Sequence, residues 1–477
     1  MRAHSRRILD MKKALIALVA LTVGGGACDF KISDPNSPPS IGPNATAATV
    51  NSATLGLLIA LREDIPNWVQ KSSILGREGY RLDTADPRFI SELLQGPLDP
   101  SNNAFGGGQW TREYRTIQSG YSILNVIGSA QITDAQKDGV RGFVQTIQAL
   151  AFLMVLNAHI QDSIPIDVNR SIDQPLGPFV SNDSAYKHVS LKLDSARTHL
   201  LAAGAAFVFD PGPGFTGFNT PATFLEVNRA LKGRVMAYRA SLGALPAGTY
   251  TSPTGSWSAC TVCWDSVITA LSAGQSFMDT TAALDEGAYM AFGTGNQDTP
   301  NALSQNPQSA VNLAHPFIRD SAETQSGSAL LDKRYLAKVT QRVPPLSLSG
   351  HTSNLSWLRY PTPISPIPII RNEELILLWA EARLGQGNNA EAARFVNFIR
   401  RASGGLDSVT NLGAQPAATI LNQLLKQRLY SLLYENGHRW IDMRRYGKLG
   451  QIIIDVPAKD KVFSSMPVNV FEVNARQ

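Results

Sequence analysis

The sequence predicts a mainly α-helical protein, a scaffold of helical hairpins that carries long irregular loops. Apolar residues recur at helical spacing in several segments, as in the stripe Phe143, Ile147, Leu150, Ala151 and Met154. Between the helical segments lie stretches rich in Gly, Pro, Ser, Thr and Asn that are longer than most connections. Loops of this kind commonly carry function, so we expect the helices to form the scaffold and the loops to form the ligand-binding face.

Residues 1–27 are typical of an export signal. A pair of lysines precedes an apolar run over 14–23, which is too short to span a membrane as a helix. Small residues follow and lead to Cys28, as in a bacterial lipobox, although Gly25 stands where such sites usually have Leu. We expect Cys28 to be lipidated; a plain secreted protein with a chance cysteine at this position is the alternative.

The net charge of +5 arises mostly from this export segment, which holds five cations and one anion. The remaining chain is close to neutral and has no cluster of Lys and Arg, which a nucleic-acid-binding face would need. Nucleic acid is therefore not expected as a partner.

The segment 28–45 is polar and rich in Pro, which is typical of a flexible tether. No later run reaches the ~20 apolar residues of a membrane-spanning helix. We expect residues 46–477 to form a single body that contacts a membrane only through its lipidated N-terminus.

Helical periodicity predicts helices over about 135–160, 184–203, 222–242 and 417–436. The most regular unit is 371–401, in which two helical segments are joined by a short Gly/Asn turn, with Ala where the helices would cross. This pattern is typical of a tetratricopeptide-like hairpin.

Four irregular stretches separate these helices, over about 64–109, 204–221, 244–258 and 276–360. The first and the last are long enough to be loop insertions of the helical body. Scattered aromatic residues within them make them the expected place for a binding surface.

The residues that usually carry chemistry form no recognisable pattern. The seven histidines are scattered without an HExxH or a paired motif, so the sequence supports no metal site. Neither a phosphate-binding loop nor a G-x-S-x-G nucleophile elbow is present. Cys260 and Cys263 form a single CxxC, which in an exported protein is a local disulfide or two ordinary thiols. We expect no cofactor, no metal and no catalytic residue.

Two charged segments near the C-terminus carry a family resemblance. Residues 371–382 (RNEELILLWAEA) fit the pattern Arg-x-x-Glu-x-x-Leu-x-x-Ala-Glu-Ala residue for residue, and residues 427–447 (QRLYSLLYENGHRWIDMRRYG) fit a terminal Glu-Arg…Glu-Gly-x-Arg-Trp-x-Asp-Leu-x-Arg-x-Gly signature. Both are motifs of the SusD/RagB family of outer-membrane nutrient-binding lipoproteins, which this chain resembles. Gln427 replaces the usual Glu, and Asn436 is an insertion.

Weaker matches to the same family are Trp110 and Tyr114 of an early helix and the Asp332–Arg334 pair, so the resemblance extends over residues 28–477. Charges at helical spacing between packed helices usually pair with each other or cap backbone groups. We therefore expect the charged motif residues to hold the fold. They are Arg371, Glu374, Glu381, Arg428, Glu435, Arg439, Asp442 and Arg444.

The resemblance implies capture of a nutrient, typically an oligosaccharide, at the cell surface of a Gram-negative-type bacterium. The protein would be the lid of a TonB-dependent, SusC-like outer-membrane barrel and would need no cofactor. A sugar requires rings to stack on and polar groups to bond its hydroxyls. Candidate ligand-binding residues, chosen by type and region, are Tyr80, Arg81, Asn102, Asn103, Phe105, Tyr289, Phe292, Asn296 and Gln297. Each aromatic ring can equally be buried beneath its loop, and Trp110, Tyr114 and Trp379 are expected in the core.

Two other functions stay open on the sequence. A scaffold of helical hairpins can bind a peptide or a protein without any role in transport. A surface glycosidase would need two carboxyl groups about 5–10 Å apart across an aromatic cleft, and sequence spacing does not reveal such pairs. The acidic loop residues open to that reading are Asp83, Asp86, Glu92, Asp285 and Glu286.

Overall fold

The computed structural model describes residues 41–102, 105–171, 173–242, 260–296 and 298–477. The predicted export segment, Cys28 and most of the predicted tether lie outside the described residues.

Helices form most of the regular structure in these ranges. In chain order they are α1 (Ala47–Arg62), α2 (Ile65–Leu75), α3 (Arg88–Ser91), α4 (Thr111–Val126), α5 (Asp134–Ala158), α6 (Asn182–Ala202), α7 (Pro221–Leu242), α8 (Thr261–Leu271), α9 (Pro316–Asp320), α10 (Lys333–Lys338), α11 (Asn372–Gly385), α12 (Asn389–Ala402), α13 (Ala417–Ser431), α14 (His438–Arg445) and α15 (Val470–Asn474). The predicted mainly α-helical class is confirmed.

Helix α5 is the central helix of the N-terminal half. It begins at a capping box, in which the Thr133 side chain accepts from the Gln136 N–H and the Gln136 side chain accepts from the Thr133 N–H. The predicted apolar stripe is buried, and α5 packs against α4 and α6. In its most apolar 18-residue window, 89% of the residues are buried inside the body. The apolarity of α5 therefore serves the core.

The predicted hairpin is formed by α11 and α12. Gly387 joins them at φ +77°, a left-handed conformation that suits glycine, and the Asn388 side chain caps α12 by accepting from the Glu391 N–H. Ile376 of α11 and Val396 of α12 are buried in one cluster with residues of α13. Three helices thus share a single apolar core.

Six short strands interrupt the helices. They are β1 (Gly79–Arg81), β2 (Gly287–Met290), β3 (Asn312–Ala314), β4 (Val339–Leu348), β5 (His351–Trp357) and β6 (Ile367–Arg371) among the described residues. An antiparallel sheet has the order β1-β3-β5-β4, with Tyr80 opposite Leu313 and Leu313 opposite Ser356. Strand β2 pairs with β6 in a separate two-stranded sheet.

The expectation that 64–109 and 276–360 are irregular was wrong in part. The first contains α2, α3 and β1, and the second contains β2 to β5. Strands β1 and β3 have three residues each, too few for alternation to show in the sequence. Strand β4 contains Pro344 and Pro345, which are tolerated because β4 lies at the sheet edge. Helix α2 buries polar residues such as Gln70 and Lys71, so its sequence lacks a clear apolar stripe.

The CxxC motif is a disulfide. Cys260 and Cys263 are bonded at the start of α8, with their Cα atoms 5.3 Å apart. Of the two states that the sequence left open, the structure has the local cross-link.

Glu435 is the centre of a buried ionic cluster between β6, α10 and the end of α13. Its carboxylate lies 3.0 Å from Arg371 Nη2, 3.3 Å from Lys338 Nζ and 3.3 Å from Arg359 Nε. Burial opposes ionisation of this carboxylate, but the three cations outweigh it and hold the pKa of Glu435 well below its usual range. Arg371 also pairs with Glu373, whose pKa is lowered to about 2 by Arg371, Arg334 and Lys338 against the effect of burial.

The other motif residues are engaged in the same way. Glu374 forms a two-pronged pair with Arg234, at 2.6 Å for both contacts. Arg428 pairs with Asp442 at 2.7 Å, and Arg445 bridges Asp442 and Glu381. These contacts join α7, α11, α13 and α14 through charges that are almost fully buried.

Two motif arginines bond the backbone instead. The Arg439 guanidinium donates to the Gly76 carbonyl at 2.9 Å, and that of Arg444 donates to the carbonyls of Ser464 and Asn157 at 2.9 and 2.7 Å. Each arginine thereby attaches α14 to a distant segment of the chain.

The two departures from the family pattern have local roles. The Gln427 side-chain oxygen accepts from Arg334 at 2.8 Å, so a neutral amide replaces a carboxylate beside a guanidinium that Asp332 already neutralises. The Asn436 side chain donates to the Pro368 carbonyl at 2.8 Å, and its own carbonyl accepts from Trp68 at 3.1 Å. The inserted residue therefore ties the chain before α14 to β6 and α2.

We predict that Glu435→Gln lowers the free energy of unfolding by about 3–5 kcal/mol, because it leaves two buried cations, Arg371 and Lys338, and the half-buried Arg359 without their shared carboxylate. Chemical denaturation followed by circular dichroism measures this change. The control is Asp134→Asn, at a carboxylate that is 93% exposed and 3.0 Å from Lys137; its effect should stay below about 1 kcal/mol. Equal effects of both variants would contradict the central role of Glu435.

Candidate functional site

The first predicted group of ligand-binding residues lies around β1, and its rings are not exposed. Tyr80 is 3% exposed and Phe105 is 1% exposed. The Tyr80 hydroxyl donates to Asp455 at 2.7 Å, and the Phe105 ring packs edge-on against Phe89. The prediction that these two rings form a stacking surface is corrected: both belong to the core beneath the loop.

The polar members of this group are accessible. Arg81 and Asn102 are half-buried, and Asn103 lies outside the described residues. The Arg81 guanidinium pairs with Asp83 at 2.8 Å and lies over the Phe89 ring at 4.3 Å. This face therefore presents a paired guanidinium and carboxylate above an apolar base.

The acidic residues of the same loop are used in its structure. Asp86 pairs with Arg88 at 2.8 Å. Glu92 accepts the backbone N–H groups of Asp99 and Gly106 at 3.0 and 3.1 Å. Together with the Arg81–Asp83 pair, these contacts account for the three carboxylates that the sequence left open in this loop.

The second predicted group is divided. Phe292 is buried at 7% exposure, which corrects its prediction as a ligand contact, and Gln297 lies outside the described residues. Tyr289 is half-buried and Asn296 is exposed, and both line one cleft of about 440 Å³. We call this the Tyr289 cleft. It is lined mainly by Leu58, Ile59, Arg62, Phe215, Tyr289, Asn296 and Asp298.

Three elements build the Tyr289 cleft. Strand β2 places Tyr289 opposite Pro368 of β6, at an irregularity in the register. The C-terminal turn of α1 supplies Ile59, which is 50% exposed. The loop before α7 approaches β2 so closely that a Cβ on Gly214 would overlap the Tyr289 carbonyl oxygen.

The polar groups of the cleft are held in place. Arg62 pairs with Asp298 at 2.8 Å and donates to the Ala291 carbonyl at 3.3 Å. The Tyr289 hydroxyl donates to the Asp285 carbonyl, and burial raises the pKa of Tyr289 to about 12, so the hydroxyl stays protonated. The arrangement offers a ring, an aliphatic wall, and charged and amide groups that can bond hydroxyls, which is what sugar binding requires.

Tyr289 also lines a second cavity of about 730 Å³, which we call the charged cleft. Its other walls include Asp285, Lys333, Arg359, Arg371 and Glu435. Most of these charges already belong to the ionic cluster of Glu435. The charged cleft is therefore a polar cavity with few groups that are not paired within the protein.

Sequence reasoning missed a further cleft of about 450 Å³. It lies where α15 meets α4 and the segment 165–177, and we call it the Phe471 cleft. Trp110 is buried as expected, but Tyr114 is only half-buried, and Phe471 is 65% exposed. The sequence signal for this cleft is weak: the segment 165–177 contains Pro and Gly, and the aromatic residues Trp110 and Tyr114 lie at the start of α4.

Residues 361–470 match the model of the SusD family. This region contains the α11–α12 hairpin and the buried ionic clusters of α13 and α14. No match to the chain was found among curated proteins.

Solved structures of SusD-like proteins share the fold. A SusD superfamily protein from Bacteroides vulgatus has a TM-score of 0.66 at 14% identity, covering 90% of this chain and 97% of its own. A SusD-like carbohydrate binding protein from Bacteroides fragilis has a TM-score of 0.62 at 13% identity, with 90% and 98% covered. Surface glycan-binding protein A from Bacteroides uniformis has a TM-score of 0.61 at 12% identity, with 90% and 97% covered.

At these identities the structural likeness concerns the fold, and the sequence likeness to the SusD family is that of the C-terminal region. The predicted resemblance is confirmed: residues 361–470 match the SusD family model, and the described body has the SusD-like fold.

Proposed function

We propose that the protein binds a nutrient oligosaccharide at the outer surface of the outer membrane. It would be held there by lipidated Cys28 and act as the lid of a SusC-like, TonB-dependent barrel. The observation that carries the proposal is the SusD family match at residues 361–470. The likeness to proteins described as carbohydrate-binding and glycan-binding supports a sugar as the ligand.

The Tyr289 cleft is the binding site that we favour within this function. A pyranose ring has an apolar face that packs on an aromatic ring, and a rim of hydroxyls that needs donors and acceptors. The partly exposed Tyr289 ring, with Ile59 beside it, offers the stacking surface. The donors and acceptors for the hydroxyls come from Arg62, Asn296 and Asp298. Binding of this kind needs neither a cofactor nor a reaction step.

The proposal treats the protein as a binding protein without catalysis. Two carboxylates line the Tyr289 cleft, and both are engaged within the protein. Asp298 pairs with Arg62 at 2.8 Å, and Asp210 accepts the Gly212 N–H at 2.9 Å. A glycosidase would need one of these two carboxyl groups as a general acid. Here both are bonded to other groups of the protein and shape the cleft.

We predict that Tyr289→Ala weakens binding of the captured oligosaccharide about 10-fold, because the stacking ring is lost. An array of neutral and acidic oligosaccharides first identifies the ligand, and calorimetry then measures its affinity for each variant. Phe471→Ala is the matched control, since it removes an exposed ring from the Phe471 cleft. A loss of affinity in the control alone would move the site to the Phe471 cleft, and unchanged affinity in both would point to the Arg81 face.

We predict that a mild-detergent pull-down of the tagged, lipidated protein from its native outer membrane recovers a large β-barrel in near-equal amount. A lid that covers a transporter must form a stable interface with it, usually well above about 1,000 Å². Mass spectrometry and gel densitometry identify and quantify the partner.

The matching control is Cys28→Ser, which removes the acyl chains and should leave the protein in the soluble fraction, because lipid anchoring depends on them. Recovery of the lipidated protein alone, or with soluble partners only, would contradict the lid. A peptide- or protein-binding helical scaffold without a transport role would then be the better description.

A further inference from the structure

A cluster of imidazoles and carboxylates lies behind β1, away from the Tyr289 cleft. His351 begins β5, His315 follows β3, and Asp455 and Asp460 belong to the segment after α14. His351 Nε2 is 2.9 Å from Asp460, and His315 Nε2 is 3.1 Å from Asp455. The four residues are separated by up to 145 positions in the chain, so no sequence spacing could reveal the cluster.

His315 positions one of the carboxylates. Its Nδ1 accepts the backbone N–H of Phe317 at 3.1 Å, so in the neutral ring the proton is on Nε2, which donates to Asp455. The Tyr80 hydroxyl donates to the same Asp455 oxygen at 2.7 Å. Two donors thus fix the orientation of this carboxylate, as outer contacts do for the ligands of a metal.

His351 faces the carboxylates through a single ring nitrogen, Nε2. The side chains of His351 and Asp460 are both 0% exposed, and Nε2 contacts Asp460. Because the two ring nitrogens of an imidazole point in divergent directions, Nε2 is the atom that an ion between these side chains would contact, and not the buried Nδ1, which has no hydrogen-bond partner among the described residues. His351, Asp455 and Asp460 each have one ligand atom that lies within 4.8 Å of the ligand atoms of the other two. One imidazole and two carboxylates at this spacing can close around a single ion.

The charge of the cluster also favours a cation. The Arg77 guanidinium interacts electrostatically with Asp455 and Asp460, but it donates to the backbone carbonyls of Ile74 and Lys461 at 3.1 and 2.8 Å. Within the described chain, neither Asp455 nor Asp460 forms an ion pair with Lys or Arg. With neutral histidines, two carboxylates therefore face a single guanidinium that hydrogen-bonds neither of them, and a divalent cation would neutralise the excess.

We propose that His351, Asp455 and Asp460 bind one divalent transition-metal ion, Zn²⁺ by preference. Zinc accepts imidazole nitrogen together with carboxylate oxygen, whereas Ca²⁺ requires a set of oxygen ligands. The Asp455 side chain is 24% exposed, which gives an ion a route from solvent. The bound ion would fasten the segment after α14 to β5 and, through Asp455 and Tyr80, to β1.

The test is calorimetric titration of the chelator-treated, full-length protein with ZnCl₂ and with CaCl₂, together with thermal unfolding in each ion. We expect one zinc ion per chain, a higher midpoint of unfolding with zinc, and little response to calcium. Asp455→Asn keeps the shape of the side chain and its acceptor oxygen, and should weaken zinc binding by more than about 10-fold.

The matched control is Asp320→Asn, at a carboxylate that is 57% exposed and pairs with Arg319; zinc binding should be unchanged. No heat with zinc, or equal binding by Asp455→Asn and the unchanged protein, would overturn the site and leave a buried histidine–aspartate hydrogen bond. An equal response to calcium would overturn the assignment to a transition metal. Because the readout is metal binding, failure here is distinguishable from failure of glycan capture.

Discussion

The shared carboxylate of Glu435 is the interaction on which the rest of the structure depends. It neutralises cations from three parts of the chain, Lys338 of α10, Arg359 after β5 and Arg371 of β6. Burying Lys338 and Arg371 and half-burying Arg359 would be unfavourable without this carboxylate, and burying the carboxylate would be unfavourable without these cations. The elements are therefore interdependent: the hairpin of α11, the end of α13 and the sheet can be buried together only when all of these charges meet.

This interdependence separates the parts of the chain that can vary from those that cannot. The charges of α11, α13 and α14 have partners inside the protein, so a substitution there acts on the whole fold. The surfaces around Arg81, Tyr289 and Phe471 lie on loops and short elements attached to that scaffold. Substitutions on these surfaces are therefore expected to cost little free energy of folding.

The long helices α5, α6, α7, α11, α12 and α13 could be predicted because each repeats one local rule many times, whereas α2, α3, α9 and α10 lie in stretches that were expected to be irregular. The stripe of α5 and the turn at Gly387 are visible within a few residues of sequence, and the same holds for the motifs of α11 and α14. The strands could not be predicted, because β1 and β3 are three residues long and β4 contains two prolines. Their pairing depends on partners far away in the chain.

The same distinction applies to the candidate sites. Residue type indicated Tyr80, Phe105 and Phe292, but burial depends on the whole fold, and all three rings are in the core. Tyr289 and Asn296 meet in a cleft because the loop before α7 closes on β2, a contact that no local pattern encodes. The cluster of His351, Asp455 and Asp460 lies beyond sequence reasoning for the same reason.

Tyr289 lines two cavities, the Tyr289 cleft and the charged cleft. A molecule that bound in one cavity and shifted this ring would change the volume of the other, and the two binding equilibria would then be linked. Linkage is reciprocal: whatever one occupant does to the affinity of the other, the second does to the first by the same factor. A single aromatic side chain would thus couple the occupancy of two neighbouring cavities.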